Sequence, residues 1–270
     1  MQNANTARSI PACLTRAVWC AGGLLVLFGV AAAVGRGVFL ADLVTRAEPF
    51  RQQLLSAFHQ NDPHVLQRAE ELHRFDSRFA AHPLVALLHV VPGGIFLTLS
   101  LFQFSTSVRS RYLQFHRWSG RALVLVAFVA GLSALYFGVL MPYGGLSEAI
   151  ATALFGGLFL MAISRAFIAI RRHQVARHRE WMIRAFAIAV GISTVRVVGA
   201  VFDVTLTPAG MRPPEIFVLS IWVGWPITFG AAEVWVRYTR SRSRPLEMPA
   251  SAVEHGLQPA AAGERRSRRG

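Results

Sequence analysis

Six apolar runs divide this chain, and the loops between them alternate in arginine content. The runs lie at residues 17–40, 83–104, 122–141, 149–170, 181–202 and 216–236. Each is close to the ~20 residues that a membrane-crossing helix needs. A segment in hydrocarbon must satisfy its own backbone polar groups, so runs of this length fold as helices. Arg109, Arg111, Arg117 and Arg121 crowd the gap between the second and third runs, and Arg171, Arg172, Arg177 and Arg179 crowd the gap between the fourth and fifth. Arg237, Arg240, Arg242 and Arg244 follow the sixth. The turn 142–148 has no basic residue, and the turn 203–215 has only Arg212. The positive-inside rule therefore predicts that the arginine-rich gaps and both termini are cytoplasmic. The expected fold is an all-α, polytopic bundle of six transmembrane helices in a bacterial cytoplasmic membrane. Its predicted parts are a cytoplasmic N-terminus (1–16), a first span (17–40), an outer loop (41–82), a five-helix core (83–237) and a basic cytoplasmic tail (238–270).

Hydrophobic residues make up 53% of the chain and charged residues 16%, a balance that suits a multi-pass membrane protein better than a soluble domain. A net charge of +14 would point to nucleic acid in a soluble protein. Here the basic residues sit beside spans and in the tail, so topology and anionic lipid headgroups account for them, and no soluble module is left to hold nucleic acid. All 28 basic residues are arginine, as GC-rich bacterial coding would give. Cys13 and Cys20 fall on the reducing side, which argues against a disulfide; their spacing reads as two small buried hydrophobes on one helix face. Ala31-Ala32-Ala33 resembles the end of a cleavable signal. The apolar run continues through Val38-Phe39-Leu40, so the first span reads as an anchor.

The outer loop carries a helical apolar spacing at Leu54, Leu55 and Phe58, then Val65, Leu66, Ala69, Leu72 and Phe75, with Pro63 marking a helix start. It predicts two short amphipathic helices on the outer surface. Beyond residue 241 the apolar period ends, and a disordered tail is expected. Gly35 with Ala31, Gly156-Gly157, Gly191 and Gly199 should let helices approach closely. Pro92-Gly93-Gly94 predicts a kink or local unwinding of the second span.

Ionisable groups at membrane depth are costly and mark candidate sites. His89 lies about 9 Å below the outer edge of its span and Arg196 about 10 Å below the same edge, at 1.5 Å per residue. They form a candidate polar pair. The alternative is that Arg196 snorkels toward Asp203 while His89 bonds a carbonyl. On the cytoplasmic side, His116 and His178 each precede an interfacial tryptophan at matching depth. Such a pair on two helices suits bis-imidazole haem ligation, with Arg117, Arg121 and Arg184 as partners for propionates or headgroups. The alternative is an anchor belt at the interface. Arg165 and Glu233 lie inside spans nearby, and Glu233 is spaced to pair with Arg237 on its own helix or with Arg165 across helices. His82 and His89 are about 10 Å apart along the axis, too far for one metal ion, and no metal site is read. No HExxH, nucleophile elbow or phosphate-binding loop occurs, so hydrolase and nucleotide chemistry have no motif here.

Four motifs occur in order: His89-x-x-Pro92-Gly93-Gly94, Gln103-Phe104, His116-Arg117-x-x-Gly120-Arg121 and His178-Arg179-x-Trp181-Met182-x-Arg184. Together they resemble a bacterial family of predicted membrane proteins catalogued as domain of unknown function 2306. Leu101-Phe102 stands where that family often has Gly-Pro. The resemblance implies a membrane location and singles out His89, His116 and His178, but it carries no activity. Three readings remain. One is a b-type haem or quinone-linked redox protein built on His116 and His178. Another is a small-solute or proton transporter using His89, Arg196 and the Pro92-Gly93-Gly94 segment. The third is a non-catalytic membrane protein.

The arginine asymmetry predicts that a reporter fused after Tyr238 is cytoplasmic and that one inserted at Asn61 is outside. The reverse pattern in a fusion assay would overturn the topology.

Overall fold

A computed structural model describes residues 11–45, 74–75 and 77–243. Among these, all regular structure is helical. In chain order the helices are α1 (Ala12–Thr45), α2 (Pro83–Phe104), the short α3 (Thr106–Arg111), α4 (Leu113–Leu135), α5 (Gly145–Arg171), α6 (Val175–Leu206) and α7 (Pro213–Ser243). A π-helical turn, Tyr136–Leu140, extends α4, and residues 77–81 form a helical turn just before α2. Among the described residues, six helices are long and apolar enough to cross a membrane. The expectations for the amphipathic helices of the outer loop and for the tail fall largely on 46–73 and 244–270, outside the described residues.

The helices extend past the apolar runs. α4 begins at Leu113 rather than 122, and α6 begins at Val175 rather than 181. Hydropathy marks only the part of a helix that lies in hydrocarbon. Arginine, glutamine and glutamate are good helix formers, so the helix runs on into the interface. His116 and His178 are therefore helical residues. α2 is helical through Pro92, Gly93 and Gly94. The predicted unwinding is absent. Proline removes one donor from the ladder but leaves the helical φ intact.

α2 packs on α1 and α4, α4 on α5, α5 on α6, and α6 back on α1. α7 lies against α6, with a smaller contact to α5. The buried core gathers Val26, Phe96, Leu97, Leu123, Phe155, Phe159, Ile163 and Ile188 from five helices. Large apolar side chains outside this core, such as Leu84, Leu125, Val201, Val204 and Val234, are exposed as lipid-facing residues must be. α1 is the peripheral member. Cys13 and Cys20 on it are free and exposed, not buried as expected, because α1 covers only one side of the bundle.

Small residues act at some of the predicted positions. A side chain at Gly191 would meet Trp225, and one at Gly156 would meet Leu135, whereas Gly35 has no neighbour within 4 Å of its ideal Cβ position. The closest approach to another helix's backbone involves a glycine that hydropathy does not flag. A Cβ on Gly224 of α7 would lie 2.7 Å from both the N and Cα of Val195 in α6.

That contact is with backbone, which cannot rotate away. Gly224→Ala should therefore destabilise the purified protein by ~1–3 kcal/mol, the usual cost of overpacking. Gly93 has open space around its Cβ position, so Gly93→Ala should be neutral or gain up to about 1 kcal/mol of helix propensity. Equal melting temperatures for the two variants in detergent would contradict the tight α6–α7 contact.

Candidate functional site

We call the end of the bundle that carries α3 and the α5–α6 turn the basic end, and the opposite end the far end. A cavity of about 550 Å³ lies in the far half, enclosed by α1, α2, α4, α5, α6 and α7. Its mouth is set by Phe75, Arg78, Tyr143, Pro213 and Phe217. Its floor is formed by Phe96, Phe159, Ile188 and Trp225. Phe96 is thirteen residues into α2, so the floor lies about 20 Å below the far end, near the bilayer centre. The π-helical turn supplies Phe137 and Gly138 to the wall. Such turns displace backbone locally and recur at functional sites.

Three guanidinium groups, Arg36, Arg78 and Arg196, and two carboxylates, Glu148 and Asp203, line this space. Arg78 donates to the Met141 carbonyl at 2.7 Å and to Glu148 at 3.5 Å. Glu148 is only 4% exposed and accepts from the Gly144 backbone N–H at 2.6 Å. It lies in the first turn of α5, where the helix dipole also favours an anion. Arg78 sits over the Phe75 ring at 4.6 Å, and Arg36 over Phe79 at 4.9 Å. Burial pushes the Arg78 guanidinium below its ordinary value and Glu148 counteracts the shift; arginine starts so high that it stays charged.

Arg196 differs from the other two. It lines the cavity with its side chain accessible, and among the described residues it has no hydrogen-bond or ion-pair partner. It does not pair with Asp203, one of the two expected alternatives. His89 lines the same cavity, and its Nδ1–H donates to the Ala130 carbonyl of α4 at 3.0 Å. The two candidate polar residues thus share one space, with His89 fixed by a backbone bond and close enough to feel the Arg196 charge.

At the basic end, His116 and His178 are each the fourth residue of their helices, α4 and α6. The His178 Nδ1–H donates to the Ala166 carbonyl of α5 at 2.9 Å, which leaves Nε2 as its free nitrogen. His116 Nδ1 is buried without a hydrogen-bond partner. Arg117 is exposed, and Arg121 lies over the Trp118 ring at 4.9 Å. Arg184, expected among the propionate partners, is engaged otherwise. It makes a two-pronged bond to Glu233 of α7 and lies 3.9 Å from Glu180. Glu180 also receives a two-pronged bond from Arg240. Glu233 thus pairs with neither Arg237 nor Arg165, the partners its spacing suggested, because α6 packs directly on α7. Among the described residues no group of three or more His, Cys, Asp or Glu could hold a metal ion.

A second cavity of about 470 Å³ opens beside this ion-pair network, lined by Arg165, Arg177, Glu180, Arg184, Glu233 and Arg240, and deeper by Leu158, Ala162, Ile188 and Phe229. Neither cavity is lined by His116 or His178.

The motif strings map onto ties between helices. Gln103 of α2 donates to Ser119 of α4 at 2.6 Å, beside Gly120. His89 joins the same two helices nearer the far end. Sequence reading missed Arg36, Arg78 and Glu148. Arg36 carried a usable signal, a charge inside an apolar run. Arg78 and Glu148 stand in loops and helix starts where charge is ordinary, and nothing local distinguishes them.

Six apolar helices joined by interhelical polar bonds, with a charged cavity toward each end, define an integral multi-pass membrane protein. The chain belongs to the family described as predicted membrane protein (DUF2306), which it matches over residues 86–236. No curated protein and no solved structure matches it.

Proposed function

We propose that this protein binds a small organic anion, a carboxylate with an apolar tail, in the far-end cavity, as a solute-handling membrane protein. One observation carries the reading: the Arg196 guanidinium lines the cavity with no partner among the described residues. An arginine cannot shed its charge, and an uncompensated charge at membrane depth is expensive. A bound carboxylate supplies the missing partner, and the planar fork of a guanidinium matches its two oxygens. Phe96, Phe137, Phe159 and Trp225 offer the apolar tail a wall of rings. The volume, about 550 Å³, falls in the range of small-molecule sites. By the positive-inside rule this cavity faces outward.

Benzoate titrated into the full-length protein in detergent, followed by calorimetry, tests the reading. Benzoate should bind and benzamide should not. Arg196→Gln should weaken binding about ten- to a hundredfold, since a charge-assisted bond contributes ~1.5–3 kcal/mol. Gly93→Phe should abolish it, because a side chain there meets nothing within 4 Å and projects into the cavity it lines. Arg212→Gln in the far loop should leave affinity unchanged. Benzoate affinity insensitive to Arg196→Gln removes this reading.

A second reading, a b-type haem or a quinone-linked redox site at the basic end, is favoured by one observation. The His178 ring is held by the Ala166 carbonyl so that Nε2 is free, while His116 Nδ1 is buried without a hydrogen-bond partner among the described residues. A second bond of this kind orients an imidazole for ligation. His116 and His178 would be the ligands, and Arg117 and Arg121 would meet the propionates. Bound haem would supply one-electron chemistry. A reduced-minus-oxidised spectrum should then show a sharp low-spin signal that both His116→Ala and His178→Ala remove. A folded protein that stays colourless after expression with haem supplied ends this second reading.

A further inference from the structure

The two cavities open toward opposite ends of the bundle, and Ile188 lines both. We infer that they are the two vestibules of one transmembrane path for the anion, closed at the layer of Ile188. This inference rests on the anion-binding reading above and extends it from binding to permeation.

The position of the layer is the first support. Ile188 stands thirteen residues into the 32-residue α6, about 20 Å from the basic end and about 27 Å from the far end. It is therefore central in the membrane, the one depth where neither cavity needs to cross a headgroup region. Its side chain is 4% exposed. Its backbone is held as well, because the Trp225 indole N–H donates to the Ile188 carbonyl at 3.1 Å. Phe159 and Trp225 face the layer from the far cavity, and Leu158 and Phe229 face it from the basic one. Leu158 and Phe159 are adjacent on α5, and Trp225 and Phe229 are one turn apart on α7, so the two cavities approach within about one helical turn of each other beside Ile188.

Charge is the second support. The far cavity has three guanidiniums to two carboxylates, and the basic cavity has Arg165, Arg177, Arg184 and Arg240 to Glu180 and Glu233. Each vestibule has cationic excess. In each, a guanidinium lacks a carboxylate partner among the described residues: Arg196 in the first, and in the second Arg165, which rests on the Trp181 ring at 5.2 Å, and Arg177, which bonds the Gln174 amide. Arginine-lined openings on either side of an apolar constriction select anions and stop them until the constriction opens.

The test uses the full-length chain with Cys13→Ser and Cys20→Ser, in vesicles of known orientation. Gly93→Cys reports the far cavity and Leu158→Cys the basic one. Each thiol should react with the anionic, membrane-impermeant reagent methanethiosulfonate ethylsulfonate only from its own side. Adding Ile188→Ala removes the constriction and should raise the rate from the opposite side by about tenfold or more. The cationic trimethylammonium analogue should gain far less. Ile188→Ser serves as a second opening variant, and a melting temperature close to the parent's qualifies either as folded. Opposite-side rates unchanged in folded variants would overturn the path. Equal gains for both reagents would overturn its anion selectivity. If the path fails while benzoate binding through Arg196 persists, the binding reading survives without permeation. If benzoate binding is absent, that reading fails first, whatever the thiols do.

Discussion

Helix-to-helix hydrogen bonds onto backbone carbonyls hold this bundle in register. In hydrocarbon, burial of apolar surface does not drive one helix onto another, since lipid tails are as apolar as leucine. Association instead rests on close packing and on polar bonds that have no water to compete with. Three such bonds recur with the same chemistry. The His89 ring donates to Ala130, the His178 ring to Ala166, and the Trp225 indole to Ile188. They join α2 to α4, α6 to α5 and α7 to α6. Each accepting carbonyl already serves its own helix ladder and uses its second lone pair for the neighbour. The Gln103–Ser119 and Arg184–Glu233 bonds add side-chain ties at the basic end.

These ties distribute charge in a way that matters for the cavities. At the basic end, Glu180 and Glu233 each hold arginines from neighbouring helices, so the network is largely satisfied from within. At the far end, Glu148 is committed to Arg78 and to the Gly144 N–H. Arg36 and Arg196 line the same cavity as Glu148 and Asp203.

Much of the fold was legible because the bilayer simplifies the reading. Six runs, their order and their helical nature follow from length and hydropathy, and the helices lie where those runs stand. The ends were less legible, because Leu113–Ala122 and Val175–Trp181 are polar yet helical. His89 and Arg196 stood out as ionisable groups within spans, and they do line one cavity. The pairing of Arg184 with Glu233 was not legible, because pairing across helices depends on which helices touch. Sequence spacing offers only partners on the same helix, such as Arg237 for Glu233. Arg78 and Glu148 were invisible for a related reason. They are 70 residues apart, and the contact exists only once the turn before α2 meets the start of α5. Gly224 shows the same limit in packing, since its importance comes from Val195 on another helix.

Stiffness is unevenly spread through the bundle, and that bears on the Ile188 layer. α6 and α7 are joined by backbone-close packing at Gly224, by the Trp225 bond to Ile188, and by ion pairs at Glu233 and Glu180. Separating them would expose several polar groups to hydrocarbon at once, which is costly. α1 is held differently. Val26 is its one fully buried side chain among the described residues, and Gly23, Gly35 and Gly37 meet no neighbour. It nonetheless supplies Gly29, Ala32, Ala33 and Arg36 to the far cavity wall. The cavity is thus bounded by a rigid pair that carries Ile188, Arg196 and Trp225, and by a lightly held helix that carries Arg36. The two guanidiniums thus reach the cavity from unlike supports: Arg196 stands on α6 within the tightly joined α6–α7 pair, and Arg36 comes from α1 and lies over the Phe79 ring at 4.9 Å.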